Sequence, residues 1–350
     1  MSGPGAADRA PTIHDVAALA GVSSQTVVRY VRGFEGIRPV TREKVQRAIS
    51  ELAWHPNPVA RALRTSTGNR ILLFVYELDE AGPNRIILAA TKRAREAGYV
   101  LEVVPMDASN PAASRAVLAS IDQTYVAGAL ALAPTEQLAE LFDELPFSPP
   151  LIREVNGDGL EGPSAQGDIE PGIVEVVEHL YELDHRDLFL IDGPGAWFSA
   201  RKRSIAATRT ARELGMRIVG RAEGDWSAGS GHEVGQGDLA GATAIVAAND
   251  EMAIGAMSAL RERGIRVPDD VSITGFDDIQ LAAYSAPSLT TVRVDFSASG
   301  ARAVDRLLSL IQGEEAEVGR AIVPSLMVRS STSHARFPKS ARLLPHSEWE

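Results

Sequence analysis

Residues 12–33 read TIHDVAALAGVSSQTVVRYVRG. Thr12-Ile13-His14-Asp15 is a capping box. The Thr12 hydroxyl can accept from the Asp15 amide while the Asp15 carboxylate reaches back to the helix start. Ile13, Val16, Ala17 and Ala20 then recur at helical spacing. Gly21 stops the helix, because only glycine enters the left-handed region without a steric cost. Ser23 or Ser24 caps a second helix running to about Val31. Thr41 is the expected cap of a third, with Val45, Ala48, Ile49 and Leu52 as its apolar face. Three short helices with a tight turn between the first two describe a helix-turn-helix.

At about 100° per residue, the second helix has two unlike faces. With Ser24 at 0°, Gln25, Arg29 and Arg32 fall between about 80° and 140°, and Val27, Tyr30 and Val31 between about 240° and 340°. The polar face carries hydrogen-bonding groups and no acids. Such a face suits the major groove of double-stranded DNA, where Gln reads adenine and Arg reads guanine; Val28, near 40°, can touch a thymine methyl. A surface helix with a few polar residues shares this pattern. The following stretch, residues 40–65, reads VTREKVQRAISELAWHPNPVARALRT. Its prolines keep Trp54-His55-Pro56-Asn57-Pro58 extended, Asn57 can cap, and Pro58 suits the first turn of a short helix over 58–64. A helix this short needs a partner to persist: a second copy, DNA or the body of the protein.

These two stretches together resemble the headpiece of the lactose-repressor (LacI/GalR) family of bacterial transcription regulators. The resemblance implies that Thr12, Ser23, Ser24, Gln25, Thr26, Arg29, Arg32 and Asn57 contact operator DNA. It also implies that Ser24, Gln25 and Arg29 read bases, that Leu63 wedges into a central base step, and that Ala60 lies in the contact between paired hinge helices. An inserted apolar wedge kinks DNA and brings more protein against it. Ser24 stands where a member of the family has tyrosine, and Val28 where serine is common, so the operator cannot be copied from a relative.

Charge is divided unevenly along the chain. The net charge is −11, but residues 1–70 carry +5 and the other 280 carry −16. A basic segment on an acidic body is the asymmetry of a nucleic-acid module joined to a different kind of domain. The 350 residues contain no cysteine, which removes disulfides and thiolate zinc sites and suits a reducing compartment. No apolar run is long enough to span a membrane, and MSGPGAADRAPT lacks the apolar core of a signal peptide. A cytoplasmic protein is expected.

From residue 71 the pattern alternates. ILLFVY, YVLEVV, VAGALAL, DLFLID, RIVGRAE, TAIVAAN and DVSITGF read as strands, with amphipathic helical stretches between most of them. Such alternation implies parallel sheets with right-handed crossovers, and about 260 residues suggests two lobes. No Walker loop, GxGxxG, GxSxG or HExxH is present. The seven histidines have no metal-ligand spacing. No cofactor, metal or catalytic residue is therefore expected.

LDHR (183–186), ANDEMA (248–253), VPDDVSITGFDD (267–278) and SLTTV (288–292) look like the same family's effector domain, which is similar to periplasmic sugar-binding proteins. The implied fold is an α-helical helix-turn-helix headpiece plus an α/β two-lobed periplasmic-binding-protein-like effector domain. The headpiece would span 1–57, the hinge helix and linker 58–69, the body 70–338 and a tail 339–350. The lobes would comprise about 70–160 with 292–322, and 161–291 with 323–338, the chain crossing between them near 155–162, 288–293 and 320–325. For the ligand, the resemblance points to Arg203, Trp226, Asn249 and Asp277, with Glu154 as a further acidic contact. Arg203 would grip hydroxyls and Trp226 would stack on a sugar ring. Tyr76 and Glu77, after the first strand, are expected to face the cleft, and Trp197 adds a second aromatic group. Each has a plainer reading as a cap, a surface arginine or a core aromatic. Two aromatics with several acids suit a neutral mono- or disaccharide. GDWSA (224–228) also occurs within the family and leans toward a galactoside or glucoside. The expected protein is a homodimeric repressor on a palindromic operator, released by a sugar. A purine corepressor, or a sugar-binding module without DNA function, are the alternatives. The tail shows no heptad, so no tetramerising coil is expected.

Overall fold

A computed structural model describes residues 11–31, 34, 36–52, 54, 68–76, 81–107, 110–133, 135–144, 147–155, 169–314 and 322–336. Arg32, Asn57, Ala60, Leu63, Glu77, the hinge helix and the 339–350 tail lie outside these residues, as does the side chain of Glu154. The chain divides into two compact units, 1–69 and 70–350.

The first unit contains α1 (Ile13–Ala20), α2 (Ser24–Val31) and α3 (Pro39–Glu51). The Asp15 carboxylate accepts from the Thr12 amide at 2.7 Å and the Thr12 hydroxyl at 2.6 Å. Gly21 has φ +65° and closes α1 with its amide on the carbonyls of Ala17 and Ala18. The Ser23 hydroxyl accepts from the Thr26 amide at 3.2 Å, which makes Ser23 the cap of α2. Val16, Ala17, Ala20, Val27, Val45, Ala48 and Trp54 form the core. Each large side chain buried there is worth about 1.5–3 kcal/mol. Two details differ from expectation. Helix α3 begins at Pro39 rather than after Thr41, because proline's fixed φ and missing N–H suit the first helical position. Val31, on the apolar arc of α2, is exposed because it ends the helix.

In the second unit, β1 (Arg70–Tyr76), α4 (Ala81–Glu96), β2 (Val100–Met106), α5 (Pro111–Ser120), β3 (Val126–Ala133), α6 (Glu136–Glu144) and β4 (Leu151–Val155) build the N-lobe. Its parallel sheet has the order β2-β1-β3-β4. The C-lobe follows with α7 (Glu170–Glu182), β5 (Asp187–Asp192), α8 (Phe198–Glu213), β6 (Arg217–Glu223), α9 (Ala228–Gln236), β7 (Ala244–Ala247), α10 (Asp250–Glu262) and β8 (Ser272–Thr274). Its parallel sheet repeats the order as β6-β5-β7-β8. β9 (Thr291–Arg293) then leads to α11 (Phe296–Gln312), which packs on α4 of the N-lobe; β10 (Ser325–Met327) returns antiparallel to β9. Among the described residues no helix is long and apolar enough to cross a membrane. Both sheets are doubly wound because their central strands are apolar on both faces: all but the first residue of β1 is buried, as is all of β7.

His185 pins the chain's return to the C-lobe. It is buried, with Nε2 3.0 Å from the Ser333 carbonyl and Nδ1 2.9 Å from the Thr243 hydroxyl. Burial lowers its pKa below the ordinary 6.5, and that of His179 likewise. Below pH 6.5 the unfolded chain therefore takes up protons that the folded chain does not, and stability is lost as pH falls. The melting midpoint of the body should drop between pH 7 and pH 5. His185→Gln, which cannot titrate, should melt lower at pH 7 but with a shallower acid slope. An unchanged slope in that variant would place the acid sensitivity elsewhere.

Candidate functional sites: recognition helix and interlobe cleft

On α2, Gln25 and Arg29 are exposed while Val27 is fully buried, so packing of one face leaves the polar face free. The Ser24 hydroxyl lies 3.1 Å from His14 Nδ1, and Ser23 and Thr26 share a hydrogen bond at 2.9 Å. Arg29 stacks over Phe34 at 5.5 Å, and Arg42 over Tyr30 at 5.9 Å. These contacts limit the freedom of the arginine without consuming its donors on acids.

In doubly wound sheets, crevices open where crossovers leave neighbouring strands in opposite directions. In the N-lobe this point lies between β1 and β3, and in the C-lobe between β5 and β7. A cleft joins both points. Tyr76 and Leu132 line it from the ends of β1 and β3; Arg203 and Asn249 line it from α8 and the end of β7. Trp197, Trp226, Asp277, Ile86, Ile169 and Phe296 complete most of the wall. A backbone bridge between Thr135 and Trp197 ties the two lobes at this cleft.

The polar centre is an ion pair between the buried Arg203 and the largely buried Asp277. Arg203 Nη2 donates to Asp277 Oδ1 at 3.1 Å, and Nη1 donates to the Ala248 carbonyl. The guanidinium also lies 3.9 Å from the Phe276 ring centroid and 5.6 Å from that of Trp226. Burial raises the Asp277 carboxyl above its ordinary range, and Arg203 opposes the rise. Asn249 caps α10, its Oδ1 accepting from the Met252 amide at 3.0 Å, while Nδ2 donates to the Trp226 carbonyl at 2.8 Å. The cap reading is therefore realised together with placement in the cleft. Trp226, at φ +73°, meets Trp197 edge to face with centroids 5.7 Å apart. A Cβ on Gly193 would stand 2.3 Å from the Trp226 ring, so only glycine admits the indole there. Tyr76 Oη, Trp226 Nε1 and Arg203 Nε are buried without a hydrogen-bond partner among the described residues, which is uncommon and costly unless a ligand reorganises them. Burial pushes the Tyr76 hydroxyl well above its ordinary pKa, so it is a neutral donor.

Of the sequence-derived ligand residues, the cleft thus gathers Tyr76, Trp197, Arg203, Trp226, Asn249 and Asp277. Sequence reasoning missed Ile86, Leu132, Ile169 and Phe296, whose apolar side chains read as ordinary core. It also missed Asp250, which locks the turn after β8 by accepting from the Ile279 amide at 2.8 Å and from the Thr291 hydroxyl. An acid in the helix-start motif ANDEMA was the available signal.

A two-lobed ligand cleft on a chain that also carries a helix-turn-helix defines a ligand-responsive DNA-binding regulator. Residues 12–57 match the lacI family of bacterial regulatory proteins, and residues 177–332 a periplasmic binding protein-like domain. The chain is 34% identical over 337 residues to the lactose operon repressor of Escherichia coli strain K12, covering 94% of this chain and 92% of that protein. It is 29% identical to the transcriptional repressor PurR of Vibrio atlanticus, covering 87% and 93%. A crystal structure of the lac repressor dimer bound to operator and the anti-inducer ONPF superimposes with a TM-score of 0.77 at 32% identity, covering 93% and 100%. The CelR–cellobiose complex gives 0.65 at 29%, covering 92% and 99%. The chain belongs to the lacI family of DNA-binding transcriptional regulators.

Proposed function

We propose that this regulator is a homodimeric repressor that leaves a palindromic operator when a mono- or disaccharide enters the cleft. The observation that carries the reading is the Arg203–Asp277 pair beside unfilled buried donors and an aromatic corner. Sugars are held by polar groups that bind in pairs and by an aromatic face against the apolar side of the ring. Arg203, Asp277 and Asn249 take hydroxyls, Trp226 and Trp197 cover ring faces, and Tyr76 donates from the N-lobe. Glu77 and Glu154 join them by the family pattern. On DNA, Gln25, Arg29 and Ser24 read bases, while Thr12, Ser23, Thr26, Arg32 and Asn57 fix the register. Ala60 and Leu63 act in the hinge. Residues 1–57 serve as headpiece, 58–69 as hinge and linker, and 70–338 as effector and dimerisation body, with 339–350 as a tail. The operator-bound lac repressor, to which the chain is similar, is a dimer, which supports a homodimer here. The two headpieces then meet half-sites about one turn apart. The protein acts in the cytoplasm and turns over no substrate.

A panel of sugars and purines, screened by thermal shift and then by operator binding, tests this reading. A sugar that raises the melting midpoint binds the folded state, and the same sugar should weaken operator binding. By linkage, operator must weaken that sugar's binding by the same factor. A purine hit that tightens operator binding favours the corepressor alternative, and sugar binding without sequence-specific DNA binding favours the simple sugar-binding module.

A further inference from the structure

The turn that presents Asp277 to the cleft is held from both lobes. Asp277 and Asp278 have φ of +103° and +47°, a conformation that costs non-glycine residues about 1–3 kcal/mol each and persists only where surroundings over-determine it. From the C-lobe side, Arg203 holds the Asp277 carboxylate, and Arg293 and Arg329 hold that of Asp278. From the N-lobe, Arg85 on α4 donates to the Asp277 carbonyl at 3.2 Å and to the Asp278 carbonyl at 3.0 Å. Arg85 is half-buried and adjoins Ile86, a wall of the cleft, yet does not itself line it. Its charge also reaches Glu251 at the start of α10, where it favours the ionised carboxylate against burial. A guanidinium has its donors in a rigid planar fork, which suits two neighbouring carbonyls.

We propose that Arg85 is a positioning residue for the effector cleft: its fork onto the Asp277 and Asp278 carbonyls latches the N-lobe to the turn that carries Asp277. The latch itself needs no ligand. Its consequence for effector affinity rests on the reading of the cleft given above. A contact made only when the lobes are closed raises the closed population, and affinity for a ligand of the closed state rises with it. Arg85 therefore tunes effector affinity without touching the effector.

The test uses the ligand-free full chain and the accessibility of its tryptophans to acrylamide. Trp197 and Trp226 report on the cleft; Trp54 and Trp349 are a background common to all variants. Arg85→Met keeps the apolar stem and removes the donors. It should raise the quenching of the cleft tryptophans about twofold as open states gain population, with the melting midpoint lowered by no more than about 2–4 °C. Arg85→Lys, which can serve one carbonyl, should fall between Met and the parent. Arg93→Ala, which breaks the Arg93–Asp305 pair between α4 and α11, should quench like the parent. Parental quenching in Arg85→Met overturns the latch. If Arg85→Met does not fold, Arg85→Lys decides the matter, and parental quenching there overturns it. Operator binding by the same variants is read separately, so a failed latch leaves the regulator reading standing, and failed DNA binding leaves the latch result intact.

Discussion

Arg203→Ala is expected to weaken binding of the effector sugar by at least about a hundredfold and to destabilise the body by about 3–5 kcal/mol, the usual cost of removing one partner of a buried charge pair. The substitution takes away the 3.1 Å contact to Asp277 and the donor to the Ala248 carbonyl, and it leaves a largely buried carboxylate without its ion-pair partner. Burial already raises the Asp277 carboxyl, and Arg203 is the first group that restrains it. Without Arg203 the carboxyl rises further, so the folded state holds a proton that the unfolded state has released. The stability deficit of the variant should therefore grow as pH rises from about 4 and shrink at lower pH. Melting curves across pH and calorimetric titration with the sugar that shifts the parent's midpoint measure both effects. Adding Asp277→Asn should restore much of the stability and none of the binding. Arg203→Lys should not rescue binding, because an ammonium cannot serve the carboxylate and the carbonyl with one planar fork. Parental affinity in Arg203→Ala would remove the ion pair from the binding site.

Replacing Gln25 and Arg29 together by alanine is expected to lower affinity for the specific operator by about three orders of magnitude, at roughly 1–3 kcal/mol for each base contact. Both side chains are exposed on α2, and Val27 alone of that helix is buried, so the headpiece fold should survive. Non-specific binding should fall little, and the salt dependence should shrink by about one phosphate contact at most. Fluorescence anisotropy against an operator selected from random duplexes, over a salt series, separates the two. Equal losses on selected and random DNA would mean that α2 contacts only the backbone.

The headpiece was legible because its information is local. The Thr12–Asp15 box, the turn at Gly21 and the two-faced α2 depend on residues at most four apart, and among the described residues the structure departs in where α3 begins and in the exposure of Val31. The alternation of strands and helices in the body was legible for the same reason: period and turn chemistry act over one element at a time. The cleft was legible in part. Arg203, Trp226, Asn249 and Asp277 could be named from a family pattern, but their contacts could not. Arg203 meets Asp277 across 74 positions, Asn249 holds Trp226 across 23, and Arg85 reaches Asp277 across 192. No periodicity encodes such pairs. Ile86, Leu132, Ile169 and Phe296 illustrate the same limit from the apolar side, since a pocket wall and a core residue are chemically identical until an opposing surface is missing.

The sequence by itself therefore determined the element order, the polar face of the recognition helix and the division of charge, +5 on the first 70 residues against −16 on the rest. The tertiary structure alone decided which strand ends share one cleft, that Asp277 is paired while Tyr76 Oη and Trp226 Nε1 are not, and that an arginine of one lobe grips the backbone of the other. The physical reason is range. Capping and amphipathic periodicity are set by neighbours along the chain, whereas burial and pairing depend on which distant segments the crossovers bring within hydrogen-bonding distance.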